Sequence, residues 1–151
     1  MLINIKRNPK MTNKSLLRLG IWLAVGLMSM LVLWLMAGTV TAQQADVKEL
    51  MLKDLTDIPG KEGLLITVEY PPGGSDPVHK HDAHAFVYVL EGSIVMQVKG
   101  GPEVTLTPGQ TFYEGPNDIH VIGRNASKTK PAKFLVLLVK NKGAPAVMPA
   151  N

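Results

Sequence analysis

The chain contains four histidines, and three of them fall within six residues, in Val78-His79-Lys80-His81-Asp82-Ala83-His84; the fourth is His120. On an extended strand, residues i and i+2 point to one face, so His79 and His81 can share a ligand. Two imidazoles on one strand, joined by a third from another strand, suit a divalent transition metal. The same cluster also reads as a polar loop, and spacing alone leaves both readings open. His84 has the opposite parity and joins the other two only through a bulge or loop. It is a candidate acid or base at the rim of a site, or else a solvated surface histidine. Cysteine is absent, which removes thiolate chemistry and disulfides together.

The elements that must position these side chains read as strands. Apolar and β-branched runs at 47–55, 64–70, 85–90, 94–99, 104–106, 110–113, 119–122 and 134–140 alternate with turn signals. Pro71-Pro72-Gly73-Gly74, Glu91-Gly92, Gly100-Gly101-Pro102 and Pro108-Gly109 are the clearest of these. Many short strands at close spacing predict an all-β sandwich or barrel. No stretch after Ala42 carries an apolar period of 3.6 over a helical length. Residues 143–151 read as a loose tail, and there is no internal repeat. The run at 47–55 is the candidate edge strand.

At this point the chain resembles the cupin superfamily. A common form of that family's first motif is G-x5-H-x-H-x3-E-x6-G, and Gly73, His79, His81 and Gly92 fall on it, with Ala85 at the glutamate position. The second motif, G-x5-P-x-G-x2-H-x3-N, is matched by Gly109 and His120. Gly115 and Asn117 replace its proline and glycine, Arg124 stands at its asparagine position, and Asn125 follows one residue late. The likeness covers about residues 64–140. It implies a double-stranded β-helix, a jelly-roll-like barrel, with a metal held by His79, His81 and His120. Iron, zinc, manganese, copper and nickel all remain open as that metal. Loss of the glutamate resembles the three-His sites of some cupin dioxygenases, or a decayed site in non-catalytic members. Glu114 is the candidate for a replacement carboxylate, whereas Glu91 and Glu103 sit at turns. Tyr88, Phe112 and Tyr113 are candidate pocket or core aromatics. Small cupins of this kind also imply a homodimer.

Charge separates the chain into two parts. Residues 1–42 hold five Lys/Arg and no acid, while the remainder holds eleven Lys/Arg against twelve Asp/Glu, a net of −1. The basic character thus belongs to the first segment, and no basic surface argues for nucleic acid. Five positive charges followed by the uncharged, apolar stretch 19–40 have the layout of a secretory signal, with Val40-Thr41-Ala42 as the cleavage site. Met11 is an alternative start. The same stretch is long enough to anchor the chain if it is left uncleaved. Either way a single domain, 43–151, is expected outside the cytoplasm, periplasmic or secreted, because the positive flank stays inside. Membrane contact is expected only in the uncleaved case. Two function classes follow. One is a small metal-dependent enzyme, foremost an oxygenase, acting on a small molecule. The other is a non-catalytic ligand-binding or sensory cupin, with a redox-neutral isomerase or lyase as a further variant.

Overall fold

The computed structural model describes residues 44–150. The expected signal segment, its cleavage site and the alternative start at Met11 lie outside the described residues. Among the described residues ten strands follow one another without a helix: β1 (Asp46–Asp54), β2 (Lys61–Tyr70), β3 (His79–Lys80), β4 (Ala83–Glu91), β5 (Ile94–Val98), β6 (Val104–Leu106), β7 (Thr111–Glu114), β8 (Ile119–Asn125), β9 (Ala132–Asn141) and β10 (Met148–Pro149). They form two antiparallel five-stranded sheets, in the orders β1-β2-β9-β4-β7 and β10-β3-β8-β5-β6. This is the all-β double-stranded β-helix that the motifs imply.

Alternation along the strands explains the layering. In β4, Ala83, Ala85, Val87 and Val89 are buried while His84, Phe86 and Tyr88 are exposed, the period of two expected of a half-buried strand. Leu64, Ile66, Val68 and Tyr70 of β2 and Phe134, Val136 and Leu138 of β9 face the same interior. The second sheet answers with Ile94, Met96 and Leu106. Turn chemistry fixes the strand order at Gly92, where φ is +70° and a Cβ would stand 2.5 Å from the Pro131 carbonyl oxygen. Only glycine can close the β4–β5 turn so tightly against the start of β9.

The segment 143–150 is not the loose tail that its composition suggests. It crosses to the second sheet, where β10 pairs with β3 through Met148↔Lys80 and Pro149↔His79.

Candidate metal centre

Strand register assembles the site. His79 and His120 are direct partners across β3 and β8 in the second sheet. In the first sheet, Ala85 of β4 lies opposite Glu114 of β7. His81 sits in the short link between β3 and β4, where the chain passes from one sheet to the other. His79, His81, Glu114 and His120 are all buried, and one donor atom from each lies within 4.8 Å of the others.

Each imidazole is held by a backbone carbonyl on the side away from the cluster. His79 Nδ1 donates to Pro77 O at 2.9 Å, His81 Nδ1 to Ala146 O at 2.6 Å, and His120 Nε2 to Ile122 O at 2.6 Å. Carbonyls only accept, so in the neutral rings Nε2 of His79, Nε2 of His81 and Nδ1 of His120 are bare and face inward. The two Nε2 atoms stand 3.2 Å apart, and His120 Nδ1 stands 3.3 Å from Glu114 Oε2. Lone pairs at that separation repel unless a cation lies between them. Atoms bound at about 2.0–2.2 Å to one divalent ion stand about 3–3.5 Å from each other, which matches these edges. Glu114 Oε2 and His120 Nδ1 are also buried without a hydrogen-bond partner. The donor set fits a transition metal.

Electrostatics agree. Burial lowers the pKa of His81, and it lowers that of His120 to about 4, with help from His79. Both rings are therefore neutral near pH 7, the form a metal requires. Burial, aided by Asp118 and Asp76, pushes the Glu114 carboxyl up to about 7. Both shifts point away from a charged pair, so the close approach of Glu114 to His120 is not a salt bridge in the metal-free chain. A divalent ion held here would supply the positive charge that the carboxylate lacks.

A cavity of about 270 Å³ opens beside the cluster. Val68, Val87, Met96 and Phe134 give it an apolar wall, while Asp76 and Tyr70 also line it. The Tyr70 hydroxyl, fully buried, donates to Asp76. Gly123 makes room for that hydroxyl, since a Cβ there would come within 2.9 Å of it.

The structure brings His79, His81, His120 and Glu114 together, but not His84. His84 lies on the outer face of β4, opposite in parity to Ala85, and its Nδ1 is hydrogen-bonded to the Tyr113 hydroxyl at 2.7 Å. No bulge turns it inward, and it is not among the residues lining the cavity beside the cluster. Tyr88 and Tyr113 are likewise outside, whereas Phe112 is partly buried with its ring 6.5 Å from His120. Asp76 and Tyr70 were not legible as site residues. The one signal for Asp76 was its place three positions before His79, after a turn.

Comparison with known proteins agrees with this geometry. Residues 66–138 match the family model described as a cupin domain. No curated protein matches the chain. Among solved structures, the DMSP lyase DddQ from Ruegeria pomeroyi is 23% identical with a TM-score of 0.50, over 57% of this chain and 42% of that one. An oxalate oxidase in complex with glycolate is 23% identical with a TM-score of 0.55, over 74% of this chain and 58% of that one. A Klebsiella pneumoniae protein with a double-stranded β-helix domain is 14% identical with a TM-score of 0.57, over 73% of this chain and 89% of that one. The chain therefore spans less than two-thirds of the lyase and of the oxidase.

Proposed function

Because the chain belongs to the cupin superfamily, we propose that it is an exported, metal-dependent enzyme of the oxygenase class that admits a small, largely apolar substrate to its barrel. The observation that carries this reading is the buried cluster of His79, His81, His120 and Glu114, in which two donor atoms lack any hydrogen-bond partner. A divalent transition metal held there supplies Lewis acidity and, if redox-active, electron transfer to dioxygen. The protein's own residues do the rest. Carbonyl-bonded imidazoles hold their lone pairs in place, and the apolar wall accepts the substrate body while excluding water. Asp76, braced by Tyr70, offers an acceptor for a substrate proton or hydroxyl.

That last feature supports a second reading, a redox-neutral isomerase or lyase in which Asp76 takes the proton. Oxalate oxidase and DMSP lyase share the fold with this chain, and fold does not decide between their chemistries. Metal analysis of the purified chain, followed by oxygen consumption over a panel of small substrates, separates the readings. Substrate-dependent oxygen uptake with a redox-active metal supplied to the site is the expected result. Turnover without oxygen uptake favours the second reading. A loaded metal with no turnover at all identifies a binding protein.

A further inference from the structure

The three imidazoles differ in where their supporting carbonyl comes from. Pro77 lies two residues before His79, and Ile122 lies two residues after His120. Those two rings are oriented by their own stretch of chain. His81 is not: its acceptor, Ala146 O, is 65 residues away along the sequence. The segment that carries this carbonyl is pinned on both sides. At its root, buried Lys140 pairs with Glu62 and donates to Ala144 O at 2.6 Å, while the Gly143 N–H donates to Glu62 at 3.0 Å. At its far side β10 pairs with β3, the strand that carries His79. Between these anchors, Val147 lines the cavity beside the cluster.

We propose that residues 144–149 form a strap that positions a metal ligand, with the Ala146 carbonyl fixing the His81 ring as its Nδ1–H tautomer and its Nε2 lone pair on the cluster. A carbonyl partner behind a ligating histidine sets tautomer and ring orientation, and its loss typically weakens metal binding about 10–100-fold. Without the strap, His81 can carry its proton on Nε2, the nitrogen the metal needs, and its ring can turn within the link. What the tautomer is for rests on the metal reading above; that the strap sets it does not.

Two variants of the full chain test this. One ends after Ala144. The other keeps every side chain but replaces the amide between Ala146 and Val147 by an ester, which weakens that carbonyl as an acceptor. Long-range proton–nitrogen NMR of the metal-free protein reads the tautomer of each histidine, and competitive titration reads zinc affinity. The expected result is Nδ1–H at His81 in the native chain and a shift towards Nε2–H in both variants, with His79 and His120 unchanged. Zinc affinity should fall about 10–100-fold in the shortened chain and less, in the same direction, with the ester. If His81 keeps its Nδ1 proton in both variants, the proposal is overturned, even where affinity falls, because the loss is then merely structural. A tautomer shift with zinc affinity unchanged also overturns it. If the shortened chain fails to fold, the ester variant decides. If the native chain takes up no zinc or other divalent metal, the metal reading fails, and the tautomer alone upholds or overturns the strap.

Discussion

A carboxyl group that is only 2% exposed must find a cation or keep its proton, and Glu114 faces that choice. In the metal-free fold its pKa lies at about 7, against 4.5 for the ordinary group. The unfolded chain therefore releases this proton between those values while the folded chain holds it, so the Glu114 contribution to stability declines as pH rises through that window. His120 acts in the opposite sense, since its folded pKa of about 4 makes the fold lose stability as pH falls below the ordinary 6.5. The Glu114→Gln variant isolates the first effect. Stripped of metal, it should match the native chain near pH 5 and exceed it by about 2–3 kcal/mol near pH 8 in denaturant titrations. With metal present the sign should reverse, because a ligand is gone. The register makes a second test available. Ala85 is fully buried and faces Glu114 as its cross-strand partner. Glu114→Ala should weaken divalent binding by more than the about 10–100-fold of a lost supporting residue. Adding Ala85→Glu to it should recover much of that affinity, because the new carboxylate enters the same interior from the neighbouring strand. No recovery in a competitive titration would show that the carboxylate must come from β7.

Register is also where element-scale structure exceeds what the sequence displays. The shift in pairing on β8 places one extra residue between His120, opposite Val98, and Ile122, opposite Gln97. That bulge lets the Ile122 carbonyl reach back to His120 Nε2, and it accounts for Asn125 standing one residue beyond its motif position. Asn125 is buried and ties β8 to other segments through the carbonyls of Tyr70, Pro71 and Lys130. The strands with period-two alternation, such as β4 and β9, were legible within a few residues, because burial on one face writes itself into residue type. His79 and His81 do meet, but His81 stands in the link after β3 rather than on the strand, so strand parity is not what joins them. β3 and β10 were not legible: two-residue strands are too short to carry a period. Glu114 could be named as a candidate but not placed, since placement depends on which β7 residue meets Ala85. The Ala146 carbonyl left no trace at all, being a backbone atom. Gly123 tests the close packing that the bulge creates. A methyl group there would stand 2.9 Å from the Tyr70 hydroxyl and 3.0 Å from His120 Cε1, and both are held by hydrogen bonds. Gly123→Ala should cost about 1–3 kcal/mol of stability and weaken metal binding as His120 is displaced, read by thermal melts and titration on the same sample.

On the scale of the whole molecule, the first sheet carries apolar side chains on its outside. Met51, Leu65, Leu137, Phe86 and Tyr113 lie in one row across all five of its strands, from β1 to β7. β1 itself is exposed at every residue, with Val47 58% and Met51 56% exposed. An edge strand of this kind needs covering, and a second copy applied along β1 and the adjoining row would do so. The homodimer expected from the family likeness should therefore appear in sedimentation as a concentration-dependent species, and Met51→Lys with Phe86→Lys should return it to monomer. A native chain that sediments as a monomer at every concentration would remove this reading. The export proposed above bears on the metal as well. Lys6-Arg7 is distant from the apolar stretch and is not a twin-arginine pair, so the general secretory route, with the chain unfolded in transit, is the expected path. An unfolded chain cannot hold an ion between His79 and His120, which only the pairing of β3 with β8 brings together. On the export proposed above, metal would enter outside the cytoplasm, where selection would fall to the site's own affinity. Nitrogen-rich sites bind copper and zinc more tightly than iron or manganese. Glu114 adds one hard oxygen donor without overturning that order. The described residues 44–150 fall within one compact unit, so the metal-free domain can be titrated by itself. Competition among divalent ions should show copper and zinc ahead of iron(II), whichever metal supports turnover. A clear preference for iron(II) over zinc would mean that the geometry of the four ligands, rather than their chemical type, sets the selection.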